Sequence, residues 1–149
     1  MEFIIPKSLK LEHEELHAEL AKATQVAGKI GVSAKAVAKI LHPHFIKEEE
    51  YAMPPLGLLS SLAEGKISTE MKDVLTMTDR LKTELPEMLN EHKAIVSALG
   101  NLIDAAKKEK KMEYGQFADK LILHARTEEE VLYPASILVG EYLKLKLIE

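Results

Sequence analysis

The 149 residues contain no cysteine, 46% hydrophobic and 30% charged side chains, and a formal net charge of −4. Without cysteine there is no disulfide framework, thiolate zinc site, iron–sulfur cluster or thiol catalysis, and a mildly negative chain with no basic stripe is a poor partner for nucleic acid or an anionic membrane. The apolar content suits a globular chain, no apolar run reaches a membrane span, and Phe3-Ile4-Ile5 is too short for a signal h-region, so a single domain over residues 1–149 in the cytoplasm is the expectation.

In chain order the periodicity is helical throughout, with no alternating strand pattern. The first segment, about Ser8 to Ala27, lines up Leu9, His13, Leu16 or His17, Leu20 and Thr24, with Ser8 as N-cap and Gly28 and Gly31 marking its end. The second, about Ser33 to Ala52, aligns Val37, Leu41, His44 and Glu48 before Pro54-Pro55-Leu56-Gly57 stops it and opens a loop. A long third segment, about Ser68 to Lys107, turns Val74, Leu81, Leu85, Met88, His92, Ile95 and Leu99 inward. Pro86 removes a backbone donor within it and predicts a kink or break near Lys82–Leu85. The fourth, about Glu113 to Leu132, aligns Phe117, Leu121, His124 and Glu128, and Pro134 is expected to open a short C-terminal helix.

One pattern occurs twice. Glu12-His13, His44, Glu48 and Pro54 match Glu91-His92, His124, Glu128 and Pro134, with His-to-His separations of 31 and 32 residues and Glu-to-Pro separations of 6 in both copies. The core positions repeat as well: Val37 and Leu41 correspond to Phe117 and Leu121, and Leu16 and Leu20 to Ile95 and Leu99. Residues of about 8–55 and 87–134 therefore read as two amphipathic helix hairpins. Packed face to face they predict an all-α fold, an antiparallel up-down four-helix bundle with a pseudo-two-fold axis. Histidine and glutamate at i, i+4 share one side of a helix, and together they suit a first-row metal ion. Two such pairs, with one histidine from each of two further helices, make a binuclear site. Unpartnered carboxylates and imidazoles in a core carry a large desolvation penalty, which a pair of cations removes.

The set Glu12-His13, His44-Phe45-x-x-Glu48-Glu49 with Pro54, Glu91-His92, and His124-x-x-x-Glu128-Glu129 with Tyr133-Pro134 resembles the hemerythrin-like (HHE cation-binding) family over about residues 8–134. The resemblance implies a non-haem, carboxylate-bridged centre of two Fe ions inside the bundle. It implies His13 and His44 on one iron, His92 and His124 on the other, and Glu48 and Glu128 as bridges. Imidazole-rich ligation also favours iron over magnesium or calcium. The implied small-molecule partner is O2, peroxide or nitric oxide. Oxygen binding, transport, storage or sensing is the first expectation, a di-iron oxidoreductase acting on peroxide or nitric oxide the second, and iron storage or homeostasis the third.

Several residues stand apart from the repeat. His17 matches Val96 in the other copy. The oxygen-carrying members of the family use a fifth histidine on the third helix, as the resemblance implies; here His17 is the extra metal candidate, able from i, i+4 to share an ion with His13, or else to line a channel or the surface. His42 corresponds to Ile122 and falls off the metal face. Glu49 and Glu129 read as solvated helix faces or as substitutes for the neighbouring bridge, and Tyr51 and Tyr133 as packing residues. His13-Glu14-Glu15-Leu16-His17 also fits the His-Glu-x-x-His pattern of zinc proteases, but a Glu-rich helix matches it easily and the segment already has its place in the repeat. A ferritin-like centre needs two Glu-x-x-His motifs, and this chain has one, Glu14 to His17.

Overall fold

The computed structural model describes residues 1–147, and among them every regular element is helical. Helix α1 (Lys7–Thr24) begins directly after the extended Pro6. Gly28, at φ +83°, then turns the chain into α2 (Lys29–Lys47), four residues ahead of the expected start; glycine adopts this left-handed conformation without steric penalty. A π-helical turn (Glu48–Ala52), a 3-10 turn (Pro54–Leu58), a short α3 (Leu59–Ala63) and a second 3-10 turn (Thr69–Val74) carry the chain across to α4 (Leu75–Lys108). The chain returns along the bundle as α5 (Met112–Thr127), continued through a second π-helical turn (Glu128–Leu132) into α6 (Tyr133–Leu147). No helix is long and apolar enough to cross a membrane among the described residues.

Two expectations need correction. The break near Lys82–Leu85 is not there: α4 runs 34 residues through Pro86. Both Pro86 and Lys82, whose carbonyl loses its helical donor, are exposed, so water can satisfy that carbonyl. Pro43 in α2 sits equally on the solvent side, as does Lys39 four residues before it. Nor is Ser8 an N-cap, because α1 already begins at Lys7; the C-terminal helix does open at Tyr133-Pro134, after a widened turn in which the Tyr133 N–H bonds back to the Glu128 carbonyl. There the i→i−4 ladder is interrupted before proline could interrupt it.

Three apolar clusters stack along the bundle. Leu16, Leu20, Leu41, Leu99 and Leu121 belong to the largest, between α1, α2, α4 and α5. Tyr51, Leu81, Met88 and Tyr133 form the second, and Met71, Val74, Val139 and Leu143 the third, where α6 covers α4 and the 3-10 turns. Close approach of α6 depends on Gly140: a Cβ there would lie 2.2 Å from Thr78 Oγ1. Along α4 the order Leu99, Ile95, His92, Met88, Leu81 shows a polar layer inserted between the first two clusters.

Candidate metal centre

That layer is built from one histidine on each long helix and the first residue of each π-helical turn: His13, His44, His92, His124, Glu48 and Glu128, all 5% exposed or less. Their inner atoms form two groups that share both carboxylates. His13, His124, Glu48 and Glu128 make one, and His44, His92, Glu48 and Glu128 the other, with the donor atoms of each group within 4.8 Å of one another. In the first, His13 Nε2 lies 3.6 Å from Glu48 Oε1 and 3.5 Å from Glu128 Oε2, and His124 Nε2 lies 3.2 Å from the same Glu128 oxygen. In the second, His44 Nε2 and His92 Nε2 are 2.9 Å apart, with Glu48 Oε2 3.6 Å from the former and Glu128 Oε1 3.2 Å from the latter. Each glutamate thus turns one oxygen to each group.

This grouping differs from the partition that the resemblance implies. The resemblance pairs His13 with His44 and His92 with His124; in the ion-free structure the donor atoms that lie together are those of α1 with α5 and of α2 with α4. Both partitions obey the two-fold axis of the repeat, so only the packing of the hairpins can choose between them.

The outer nitrogens are held by a second ring of carboxylates. His44 Nδ1 meets Glu91 at 2.6 Å and His92 Nδ1 meets Glu129 at 2.9 Å; His124 Nδ1 contacts Glu12, and His13 Nδ1 faces Glu49 at a looser 3.7 Å. Donation of Nδ1–H to a carboxylate fixes the tautomer that leaves the Nε2 lone pair for a metal. At His13 packing does more of this work, since Phe45 stacks on its ring at 4.0 Å and 9°. Lys47 holds Glu91 in turn, at 2.7 Å; burial pushes the Glu91 carboxyl up, but hydrogen bonds from Lys47 and His44 keep it below the usual range. In the sequence Glu12 and Glu91 read as part of the repeated pattern and Glu49 and Glu129 as solvated faces or substitute bridges, and none of the four is assigned there to the outer imidazole nitrogens. The signal was present, for Glu12 and Glu91 precede repeat-related histidines and Glu49 and Glu129 follow repeat-related glutamates.

Without a cation the layer is electrostatically unfinished. His13 Nε2, His124 Nε2, Glu48 Oε1 and Glu128 Oε2 are buried and have no hydrogen-bond partner, and each such orphan costs about 1–3 kcal/mol or more when charged. Protons act as partial substitutes. Burial lowers His44 and His124, but Glu48 beside the one and Glu128 beside the other outweigh it and hold both imidazoles up at about 9. Burial and the facing Glu128 push Glu48 up to about 7. Burial also works against ionised Glu128, yet hydrogen bonds from Glu48, His124, His13 and His92 keep its carboxylate well below the ordinary value. Imidazole and carboxylate donors with unused lone pairs converging on shared points fit a metal centre.

The remaining candidates fall elsewhere. His17 joins neither donor group; it is exposed, with its ring 5.5 Å from that of the equally exposed His42. Both histidines border a cavity of about 300 Å³ that reaches His13 and is lined also by Glu14, Ala18 and Phe45. A smaller depression of about 150 Å³, bordered by Glu12, Leu16 and Leu123, reaches His124. Tyr51 is a packing residue as expected, its hydroxyl 3.5 Å from Met88 Sδ beneath the Arg80 guanidinium. Tyr133 is more than that: its hydroxyl enters the His44–His92 group and donates to Glu48 Oε2 at 2.6 Å. Burial, then the charge of Glu48, pushes this phenol far above its ordinary range.

A helical bundle with a buried layer of four imidazoles and two shared carboxylates defines a metal-binding protein. A family model described as the hemerythrin HHE cation binding domain matches residues 5–135, and the chain belongs to that family. No curated protein and no solved structure matches the chain.

Proposed function

We propose that this is a non-haem di-iron protein that binds O2 or a related small ligand. One ion would be held by His13 and His124 and the other by His44 and His92, with Glu48 and Glu128 each giving an oxygen to both. The observation that carries this reading is the pair of donor groups sharing both carboxylates, one of them made wholly of unsatisfied buried atoms. Iron is the metal of choice because four imidazoles with two carboxylates suit a borderline first-row ion. When bound, a ferrous pair supplies electrons and open positions to which O2, peroxide or nitric oxide can attach.

The protein's own contribution is orientation and access. Glu12, Glu91 and Glu129 fix three imidazole rings, Phe45 stacks on the fourth, and the cavity beside His13 has room for a diatomic molecule and several waters. Leu16, Leu41 and Leu121 on one side, and Met88 and Leu81 on the other, keep bulk water from the layer. The deciding experiment loads the protein with ferrous iron anaerobically, admits O2, and then removes it. Spectra that return to the starting state mean a carrier or sensor; irreversible oxidation with no spectral return removes the carrier reading. An oxidoreductase acting on peroxide or nitric oxide is the second reading, favoured by the Tyr133 hydroxyl inside the donor cluster, and continuous peroxide or nitric oxide consumption would establish it.

A further inference from the structure

We infer that the phenol oxygen of Tyr133 is a fifth protein donor to the ion held by His44 and His92, which makes the two halves of the centre unequal. This rests on the two-ion reading above and adds to it a residue that the repeat does not contain.

The distances carry the inference. Donors at right angles around a first-row ion, with bonds of about 2.1 Å, sit about 3 Å apart. Tyr133 Oη lies 3.1 Å from His44 Nε2, 3.1 Å from His92 Nε2 and 2.6 Å from Glu48 Oε2, while the two Nε2 atoms are 2.9 Å from each other. Hydrogen bonds can join these atoms only in pairs: the phenol gives its proton to Glu48, and a protonated His44 gives its Nε2–H to His92. With Nδ1–H donated to Glu91 and Glu129, both Nε2 atoms can instead turn lone pairs inward, and one cation among the four atoms then meets all of them.

Local geometry explains how Tyr133 gets there. In an α-helix, residue i+5 points about 140° away from residue i, so Tyr133 would face away from Glu128. The π-helical turn Glu128–Leu132 widens that step by one residue and brings Tyr133 round to the side of Glu128. The first copy has the same turn, Glu48–Ala52, but the residue at the matching position is Met53, which carries no hydroxyl. Hence only one half of the layer receives a phenol. Ligation forms a metal–oxygen bond, breaks the phenol O–H bond and releases the proton to solvent. A phenolate adds negative charge, favours the ferric state and fills a position on the His44–His92 ion. Small ligands are thereby directed to the His13–His124 ion, the half that the two surface cavities reach.

The test uses the intact protein reconstituted with two equivalents of iron and oxidised. Expected are two Fe per chain and a visible phenolate-to-iron charge-transfer band, with tyrosine ring modes enhanced in the resonance Raman spectrum excited within it. Tyr133→Phe should lose the band while keeping two Fe, and Tyr51→Phe should retain it. A wild-type spectrum with two Fe and no tyrosine modes overturns the inference and leaves the di-iron reading standing. Fewer than two Fe in folded wild-type protein overturns both, and modes that persist in Tyr133→Phe assign the ligand to another tyrosine. The wild-type spectrum decides the matter even where a variant folds poorly.

Discussion

Three of the four buried imidazoles are gripped from outside by a carboxylate on another helix, so each ring arrives at the centre already oriented. Losing such a grip should weaken the metal without removing a donor. Glu91→Ala, which strips both the Nδ1 partner of His44 and the anchor of Lys47, is expected to lower metal affinity about 10- to 100-fold, read by competition titration with a chelator. Glu48→Ala or Glu128→Ala should instead abolish loading of the pair, because each removes a donor from both groups; His42→Ala should leave iron content unchanged. The proton occupancies give a pH prediction with a definite sign. In the ion-free protein His44 and His124 are raised from 6.5 to about 9 and Glu48 from 4.5 to about 7. The imidazole contribution to stability is full below the unfolded value and lost as pH rises to about 9, and a penalty from Glu48 builds up between about 4.5 and 7. Glu128, held low, acts oppositely, its contribution disappearing only in acid. Metal must displace the same protons, so its affinity rises over this window. The gain in Tm on adding metal should accordingly grow between about pH 6 and pH 9, and a gain that shrinks would contradict the assignment. His44, His124, Glu48 and Glu128 were legible in the sequence because the i, i+4 spacing occurs twice. His17 was not, since the buried stripe of α1 continues from His13 through Leu16 and Leu20, on the other side of His13 from His17, and leaves His17 on the outer edge.

At the scale of elements, the helices followed from period-3.6 patterning, and the two hairpins from the correspondence of Leu16, Leu41, Ile95 and Leu121. What patterning could not register were the π-helical turns. Each begins on a glutamate triplet, Glu48-Glu49-Glu50 or Glu128-Glu129-Glu130, with the second and third residues exposed, and a run of like residues carries no phase. Pro134 was nonetheless legible as a start signal, since α6 opens at Tyr133 beside it. The contact of α6 with α4 is testable by itself. Gly140→Ala would press a Cβ against Thr78 and should destabilise the protein by about 1–3 kcal/mol, measured by denaturant unfolding. Thr78→Ala in the same background should recover part of the loss, because the clashing Oγ1 and Cγ2 are removed.

For the whole molecule, the polar layer lies across the bundle between two apolar clusters, and its satisfaction governs how firmly those clusters are joined. An ion that binds the folded chain and not the unfolded one adds RT ln(1 + [L]/Kd), about 2.7 kcal/mol at a hundredfold excess over Kd. Metal removal should therefore lower the midpoint of denaturation substantially, and the midpoint should climb with added ion concentration. A midpoint indifferent to metal would mean that the folded chain binds no ion, and would overturn the metal-centre reading.

The matched positions of the π-helical turns also bear on symmetry. The widened step falls on the glutamate of each hairpin, so the internal repeat extends from side chains to an irregularity of the backbone. On that matched scaffold one half places Met53 and the other Tyr133, so a symmetric backbone carries two chemically different halves.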